Sequence, residues 1–433
     1  MDVDPQHRSS PRPSRAANGP LIVVLAFALL GIAFSAVSTH DFVEHLDRQV
    51  HSIHCSFIPG AGTELGESGC RTVMLSPYSS FFRQSMWGGL PIALWSLAVF
   101  AFLAWRAGAL LWRGGASRPE TFFLLAAFGL PVLTSLVYGY LAMAELEAVC
   151  KVCVGIYVAS FGGFAAAIWA HLRAAPADEL GAGGVWATGI AGGVAFVVVL
   201  SLIYVAAAPT AEVKGCGELV HDDDPAGIML AIAPTPGQTP AIEVVDPLCP
   251  SCKALEKRLL ASDLGERLDV RAVLFPLDSS CNWMIKERLH PGACAVSEAV
   301  LCNGPLSKDG ADRIVAGEKA RAVLAYAFAH QEEIRAEAAT DDALVRARLE
   351  REFPEVKGCL GGVQVKNKLV KSLRWAVANA IPVLTPQLFV GKTRLCDEDT
   401  DLGLEFTLAR MLDGGVAAPA APDEAPVAKE ASR

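Results

Sequence analysis

Six of the twelve cysteines fall into three pairs whose spacing suits thiol–disulfide exchange. Cys55 and Cys70 lie in a polar stretch, Cys150 and Cys153 form Cys-Lys-Val-Cys at the start of an apolar run, and Cys249 and Cys252 form Cys-Pro-Ser-Cys. A dithiol gives up two electrons as its disulfide closes and takes them back as it opens, so pairs in series pass electrons along by thiolate attack. Three such pairs imply a relay, and a relay needs elements that bring each pair to the next.

Five runs have the length and apolarity of helices that cross a bilayer: residues 20–38, 88–105, 121–143, about 148–170 and 184–207. Each approaches the roughly 20 residues that cover about 30 Å of hydrocarbon. The first is read as a span rather than the core of a cleaved signal peptide, because it is long, follows a polar tail of residues 1–19, and has no small-x-small site after it. Short loops rich in Lys and Arg stay on the cytoplasmic side. Arg8, Arg12 and Arg15 precede the first run, Arg106, Arg113 and Arg118 join the second to the third, and Arg173 follows the fourth. With these inside, residues 39–87, the turn around Glu145 and Glu147, and everything after the fifth run face outward. All twelve cysteines then sit at or beyond the outer face, where an oxidising compartment tolerates them. The net charge of −9 gives no basic footprint for nucleic acid.

Residues 208–239 read as a linker, since AIAPTPGQTP (231–240) is too rich in Pro and Gly for regular structure. Beyond it, AIEVVD reads as a strand that runs into the Cys-Pro-Ser-Cys, and KALEKRLLAS reads as a helix. Strand, Cys-x-x-Cys, helix is the thioredoxin-like order. At a helix N-terminus the positive end of the dipole favours the Cys249 thiolate, and Pro250 suits a first turn that needs no N–H. Cys249 is therefore the expected nucleophile and Cys252 its resolving partner. A second strand is expected at 268–278, a largely helical insertion at about 284–380, and a strand QLFV after Thr385-Pro386. By resemblance to thioredoxin-like proteins, Pro386 is the cis-proline beside the Cys-x-x-Cys, with Pro382 as the alternative. The last helix is expected over 400–412, and residues 414–433 are expected to be disordered.

Cys150, Cys153 and Tyr157 are spaced by three and four, so a helix puts a dithiol and a phenol on one face. Upstream, Cys70 is followed by Ser76 in CRTVMLSPYSSFF, and GLPIAL opens the second span. Together with the loop pair Cys55 and Cys70 and the trailing Cys-Pro-Ser-Cys domain, this order resembles the vitamin K epoxide reductase family, specifically bacterial members fused to a C-terminal thioredoxin-like domain of disulfide-oxidase type. The resemblance extends over residues 20–412. It implies an α-helical membrane bundle, a four-helix bundle (20–174) plus one extra transmembrane helix (184–207), followed by an α/β thioredoxin-like domain with a helical insertion (240–413). It also implies a quinone, ubiquinone or menaquinone, held in the bundle near the outer face. Cys153 would face that quinone, Cys150 would be its exchange partner, and Tyr157 and Ser76 would belong to the quinone site. Cys70 would exchange with Cys150, and Cys55 with Cys249. By resemblance to some bacterial thioredoxin-like oxidases, Cys281 and Cys294 in CNWMIKERLHPGAC form a stabilising disulfide. Cys359 with Cys396 is a further candidate pair, and Cys216 and Cys302 are unassigned.

Two features depart from the family pattern. Fourteen residues separate the loop cysteines, including Gly60, Gly62, Gly66 and Gly69, which leaves open whether Cys55 is the aligned partner. Where some relatives have a quinone-binding asparagine ahead of the second helix, this chain has Gln84-Ser85-Met86-Trp87. Plainer readings stand beside the sharp ones. The plain alternatives are a static disulfide for Cys55 and Cys70, buried apolar packing for Cys150 and Cys153, a packed interfacial tyrosine for Tyr157, and a helix-capping or turn residue for Ser76. No cluster has the four ligands of a structural zinc site.

The expectation is a multi-pass protein of the bacterial inner membrane with a cytoplasmic N-terminus and a periplasmic thioredoxin-like domain. It would oxidise reduced exported proteins and deliver their electrons to membrane quinone, with the lipid bilayer and no nucleic acid among its partners. The alternatives are a membrane-anchored disulfide reductase or isomerase, and a non-enzymatic thiol chaperone or metal-binding receptor. The first would need a cytoplasmic electron donor, and no cysteine faces that side.

Overall fold

In a computed structural model, the described residues are 17–47, 55, 69–146, 148–174, 182–209, 213–233, 237–303 and 310–414, the side chains of 310–316 excepted. Most of the tails 1–19 and 414–433, the loop glycines Gly60, Gly62 and Gly66, and Glu147 lie outside them. The chain divides into two compact units, residues 1–210 and 211–433.

The first unit is built from helices α1 (Asn18–Glu44), a short α2 (Gly69–Leu75), α3 (Ile92–Trp112), α4 (Arg118–Ala144), α5 (Lys151–Arg173) and α6 (Ala182–Ala207). All but α2 are long and apolar enough to cross a membrane. Helix α1 packs on α3 and α5, α4 on α5, and α6 on α3 and α4. Phe100, Phe128, Leu103 and Leu124 are fully buried where these helices meet. Close approach depends on small residues, as in membrane bundles generally. A Cβ on Gly155 would lie 2.6 Å from the Phe34 ring, so glycine is what lets α5 lie against α1. The turn between α3 and α4 is fixed by a capping box, in which Ser117 and Glu120 bond each other's backbone and side chain, and Arg113 pairs with Glu120 at 2.6 Å.

The opposite end of the bundle is closed by α2 and a small hairpin of β1 (Ser80–Phe81) and β2 (Leu90–Pro91). Arg83 holds this cap together. Its guanidinium donates to the Ser76 carbonyl at 2.6 Å and to the Ser79 and Ser80 hydroxyls at 2.7 Å. The Trp87 indole donates to the Leu46 carbonyl in the turn just past α1, and the Tyr204 hydroxyl of α6 donates to the Gly89 carbonyl.

The second unit holds a five-stranded mixed sheet of β3 (Leu230–Ala231), β4 (Thr239–Val245), β5 (Leu268–Leu274), β6 (Gln387–Val390) and β7 (Thr393–Arg394). The order is β3-β5-β4-β6-β7, with β4 and β5 parallel and the other pairs antiparallel. Strand alternation sends Ala241 and Val245 to one apolar cluster and Ile242 and Val244 to the other. Both faces are thus covered. Around the sheet lie α7 (Pro250–Leu260), α8 (Asp263–Glu266), α9 (Ala293–Cys302), α10 (Gly310–Ala329), α11 (Gln331–Thr340), α12 (Asp342–Glu352), α13 (Val363–Ala378) and α14 (Leu404–Leu412). A buried Arg258–Glu405 pair at 2.8 Å ties α7 to α14.

Two expectations are corrected here. Residues 208–239 are not all linker, because β3 joins the sheet and the stretch around Cys216–Leu219 lies along β7, with Cys216 N–H donating to Arg394 and Leu219 N–H to Lys392. That pairing sets Cys216 against Cys396, just past β7, and the two form a disulfide. Cys359 accordingly pairs with Cys302 at the end of α9, not with Cys396. A third disulfide joins Cys281 and Cys294.

Candidate functional site

In the membrane unit, Cys150 is the N-cap of α5 and its sulfur accepts the Cys153 N–H at 3.1 Å. The two are disulfide-bonded, as are Cys55 and Cys70. Cys70 belongs to the first turn of α2, which butts against the residue before Cys150. A Cβ on Gly69 would collide with the Val149 carbonyl, so only glycine lets α2 come this close. Cys70, Cys150 and Cys153 consequently line one cavity of about 640 Å³ under the cap.

The cavity wall is mostly apolar, with residues such as Val99, Phe100, Pro131 and Leu133. Tyr157 and Ser76 are both in it. The Ser76 hydroxyl donates to the Val73 carbonyl at 2.7 Å, which makes it the turn that ends α2. Tyr138, Ser135 and Ser160 also line the cavity, with the Ser135 hydroxyl donating to that of Ser160 at 3.0 Å. These three were not singled out from the sequence. Their signal is the helical period: Cys153, Tyr157 and Ser160 continue one face of α5, and Ser135 and Tyr138 are one turn apart on α4. The Gln84–Trp87 stretch belongs to the cap, where Trp87 bonds the turn that follows α1.

In the second unit, Cys249 is the N-cap of α7 and Pro250 its first residue. The Cys249 thiol donates to the Thr385 carbonyl at 3.5 Å, and the Thr385–Pro386 bond is cis. Pro386 therefore lies beside the Cys-Pro-Ser-Cys. Cys249 and Cys252 are the free thiols among the described residues, and both are buried. The hydrogen bond from the Cys252 thiol, backed by Thr385 and the Cys252 N–H, holds Cys249 down at about 6 against the effect of burial. Cys252 goes the other way. Burial, followed by the neighbouring Cys249, Glu243 and Asp246 charges, pushes it well above the usual thiol range. One thiol is thus poised as thiolate and its partner as proton carrier.

Glu243, in β4, is a further site residue not singled out from the sequence. It is completely enclosed, and burial, with Glu256 and Cys249 adding repulsion, raises its carboxyl to about 8. Glu256 on α7 is raised by burial to about 7, with Arg321 opposing. Its signal was a lone charge inside an apolar strand. Cys216, Cys396 and Glu398 also cluster, but the two sulfurs are bonded to each other and are not ligands.

Comparison with curated proteins gave no match. Residues 22–168 match the model of the vitamin K epoxide reductase family, a stretch that begins in α1 and ends in α5 and contains Cys55, Cys70, Cys150, Cys153 and Tyr157. Residues 22–168 are a vitamin K epoxide reductase family domain, which supports an oxidoreductase, and five helices of the chain are long and apolar enough to cross a membrane.

Proposed function

We propose that this oxidoreductase is a thiol oxidase that forms disulfide bonds in exported proteins and delivers their electrons to a quinone. The observation that carries this reading is the meeting of Cys70, Cys150 and Cys153 on one apolar cavity. There a chain of dithiols ends where an apolar electron acceptor fits. The mostly apolar lining suits a quinone ring and tail, and the phenols of Tyr157 and Tyr138 would hold its carbonyl oxygens by donating hydrogen bonds. A bound quinone supplies a sink for two electrons and two protons. Residues 240–413 are read as a thioredoxin-like domain on four features: the parallel β4–β5 pair, the antiparallel β6, the Cys-Pro-Ser-Cys at the start of α7, and the cis-proline beside it.

The chain's own chemistry follows in order. A substrate thiolate attacks Cys249 of the closed Cys249–Cys252 disulfide, and Cys252 leaves with the electron pair. Buried Cys252 takes up a proton, for which the protonated Glu243 carboxyl is the nearby source. A second substrate thiolate then displaces Cys249, and the substrate leaves as a disulfide. The Cys249–Cys252 dithiol is reoxidised through Cys55 and Cys70, and Cys70 through Cys150, which frees Cys153 as the thiolate at the cavity. Direction follows from potential, since each 30 mV of difference is about 1.4 kcal/mol for a two-electron couple. The setting proposed is the bacterial inner membrane, with residues 211–433 periplasmic.

The test uses the purified full chain with a reduced dithiol peptide and a soluble quinone, followed by quinone absorbance. The parent should reduce quinone as peptide is oxidised, and Cys153→Ala should not. Quinone reduction by Cys153→Ala at the parental rate, or net peptide reduction by quinol in the parent, overturns the reading.

A further inference from the structure

We propose that His290, presented on a disulfide-stapled loop and held by the buried Asp246 carboxylate, is a positioning residue that cancels the Asp246 charge beside Cys249 and so keeps that thiol ionised. The inference rests on Cys249 being the thiol that meets substrate.

Asp246 shapes the turn that offers Cys249. Its side chain is fully buried, its Oδ1 accepts the Leu248 N–H at 2.7 Å, its Oδ2 accepts the Leu277 N–H at 2.6 Å, and its carbonyl accepts the Cys249 N–H at 3.1 Å. That service has an electrostatic cost. A carboxylate three residues before the nucleophile opposes a thiolate, and Asp246 acts on Cys249 in that sense. Backbone N–H groups satisfy the carboxylate's lone pairs but carry no net charge. An imidazolium does carry one, and His290 Nδ1 lies 2.8 Å from Asp246 Oδ2.

The loop that carries His290 is held at both ends. Cys281 and Cys294 bracket it with a disulfide. Inside that staple, Arg288 grips Asp278 with two bonds of 2.9 and 3.0 Å, Asp278 accepts the Gly292 N–H, and the His290 N–H donates to the Leu277 carbonyl. The ring is left little freedom, at 14 % side-chain exposure. The groups that face it come from three directions: Asp246 and Cys249 favour the imidazolium, and Arg335 of α11 opposes it. Arg288, on the same loop, is committed to Asp278 and Asp342. Although burial is the largest influence and pulls the imidazole down, Asp246 and Cys249 outweigh it and raise His290 above its ordinary value. The Cys281–Cys294 disulfide thereby gains a purpose beyond bracing the fold.

The consequence lies in the last exchange with substrate. As the second substrate thiolate attacks the substrate sulfur of the mixed disulfide, one S–S bond forms, another breaks, and the electron pair leaves on Cys249. A cationic His290 stabilises that leaving thiolate and makes the Cys249–Cys252 disulfide a stronger oxidant.

The test measures thiol acidity directly in the full-length chain, without quinone, so its failure is separate from failure of the oxidase reading. Iodoacetamide alkylation of Cys249 is followed against pH by mass spectrometry of its peptide. His290→Asn keeps a hydrogen-bonding group without the charge and should move the midpoint up by about one pH unit, a tenfold loss of thiolate at low pH. Asp246→Asn combined with His290→Asn removes both charges and should return the midpoint toward the parent. An unchanged midpoint in His290→Asn overturns the proposal. So does a midpoint raised equally in the single and double variants, which would mean that His290 only braces the loop.

Discussion

Glu243 lies in the core, where burial raises its carboxyl to about 8, beside the Cys252 thiol that burial also pushes up. The folded chain holds the carboxyl proton up to about pH 8, whereas the unfolded chain releases it in the ordinary carboxyl range. Between those limits the folded state binds more protons, so stability falls as pH rises, by up to about 1.4 kcal/mol per pH unit. Glu243→Gln removes that dependence. Melts of the full chain from pH 5 to 9 should show the variant gaining on the parent as pH rises, and parallel curves would mean that the carboxyl does not titrate in this window. The pairing of Cys249 with Cys252 was legible from four adjacent residues. The burial of Glu243 was not, because AIEVVD says strand but not that β4 lies in the middle of the sheet with both faces covered.

At the scale of elements, the proposed relay depends on a seven-residue helix that no periodic pattern announces. The five long helices are legible because apolar length alone specifies a span, and the arginine-bearing turn between α3 and α4 is legible because its charges cannot enter the bilayer. Helix α2 and the β1–β2 cap are set instead by tertiary contacts: Gly69 against Val149, Arg83 against three serines, and Trp87 against the turn that follows α1. The same holds for Cys216, whose partner follows from an edge pairing with β7 that composition does not foretell. Gly69→Ala tests the point. Its methyl must push α2 off the Val149 carbonyl, an overpacking that costs about 1–3 kcal/mol. An ångström of misplacement between exchanging sulfurs is worth on the order of 100-fold in rate. After a pulse of reduced dithiol peptide, quenched and alkylated samples of this variant should hold Cys55 and Cys70 reduced while Cys150–Cys153 stays closed. If electrons reach Cys150 and Cys153 as fast as in the parent, the contact between α2 and α5 is not what couples the pairs.

For the whole molecule, the two ends of the bundle have different chemistry, and that difference is what the proposed orientation rests on. One end carries the α3–α4 turn with Arg113 and Arg118 and the end of α5 with Arg173. The other carries the cap, Cys70 and Cys150, with the cavity beneath. Arginine near short turns holds them on the cytoplasmic side, while disulfides persist on the oxidising side, so the two signals agree on one orientation. On the orientation proposed above, residues 211–433 are extracytoplasmic, and Cys249 would have access to exported chains. Alkaline phosphatase fused after Ser117 should be inactive in cells, because that enzyme needs an oxidising compartment to form its own disulfides, and phosphatase fused after Ala208 should be active. The reverse pattern would put the relay on the reducing side, where cytosolic thiols would keep Cys55–Cys70 and Cys150–Cys153 open and leave the oxidase with no route for electrons out of the exported protein.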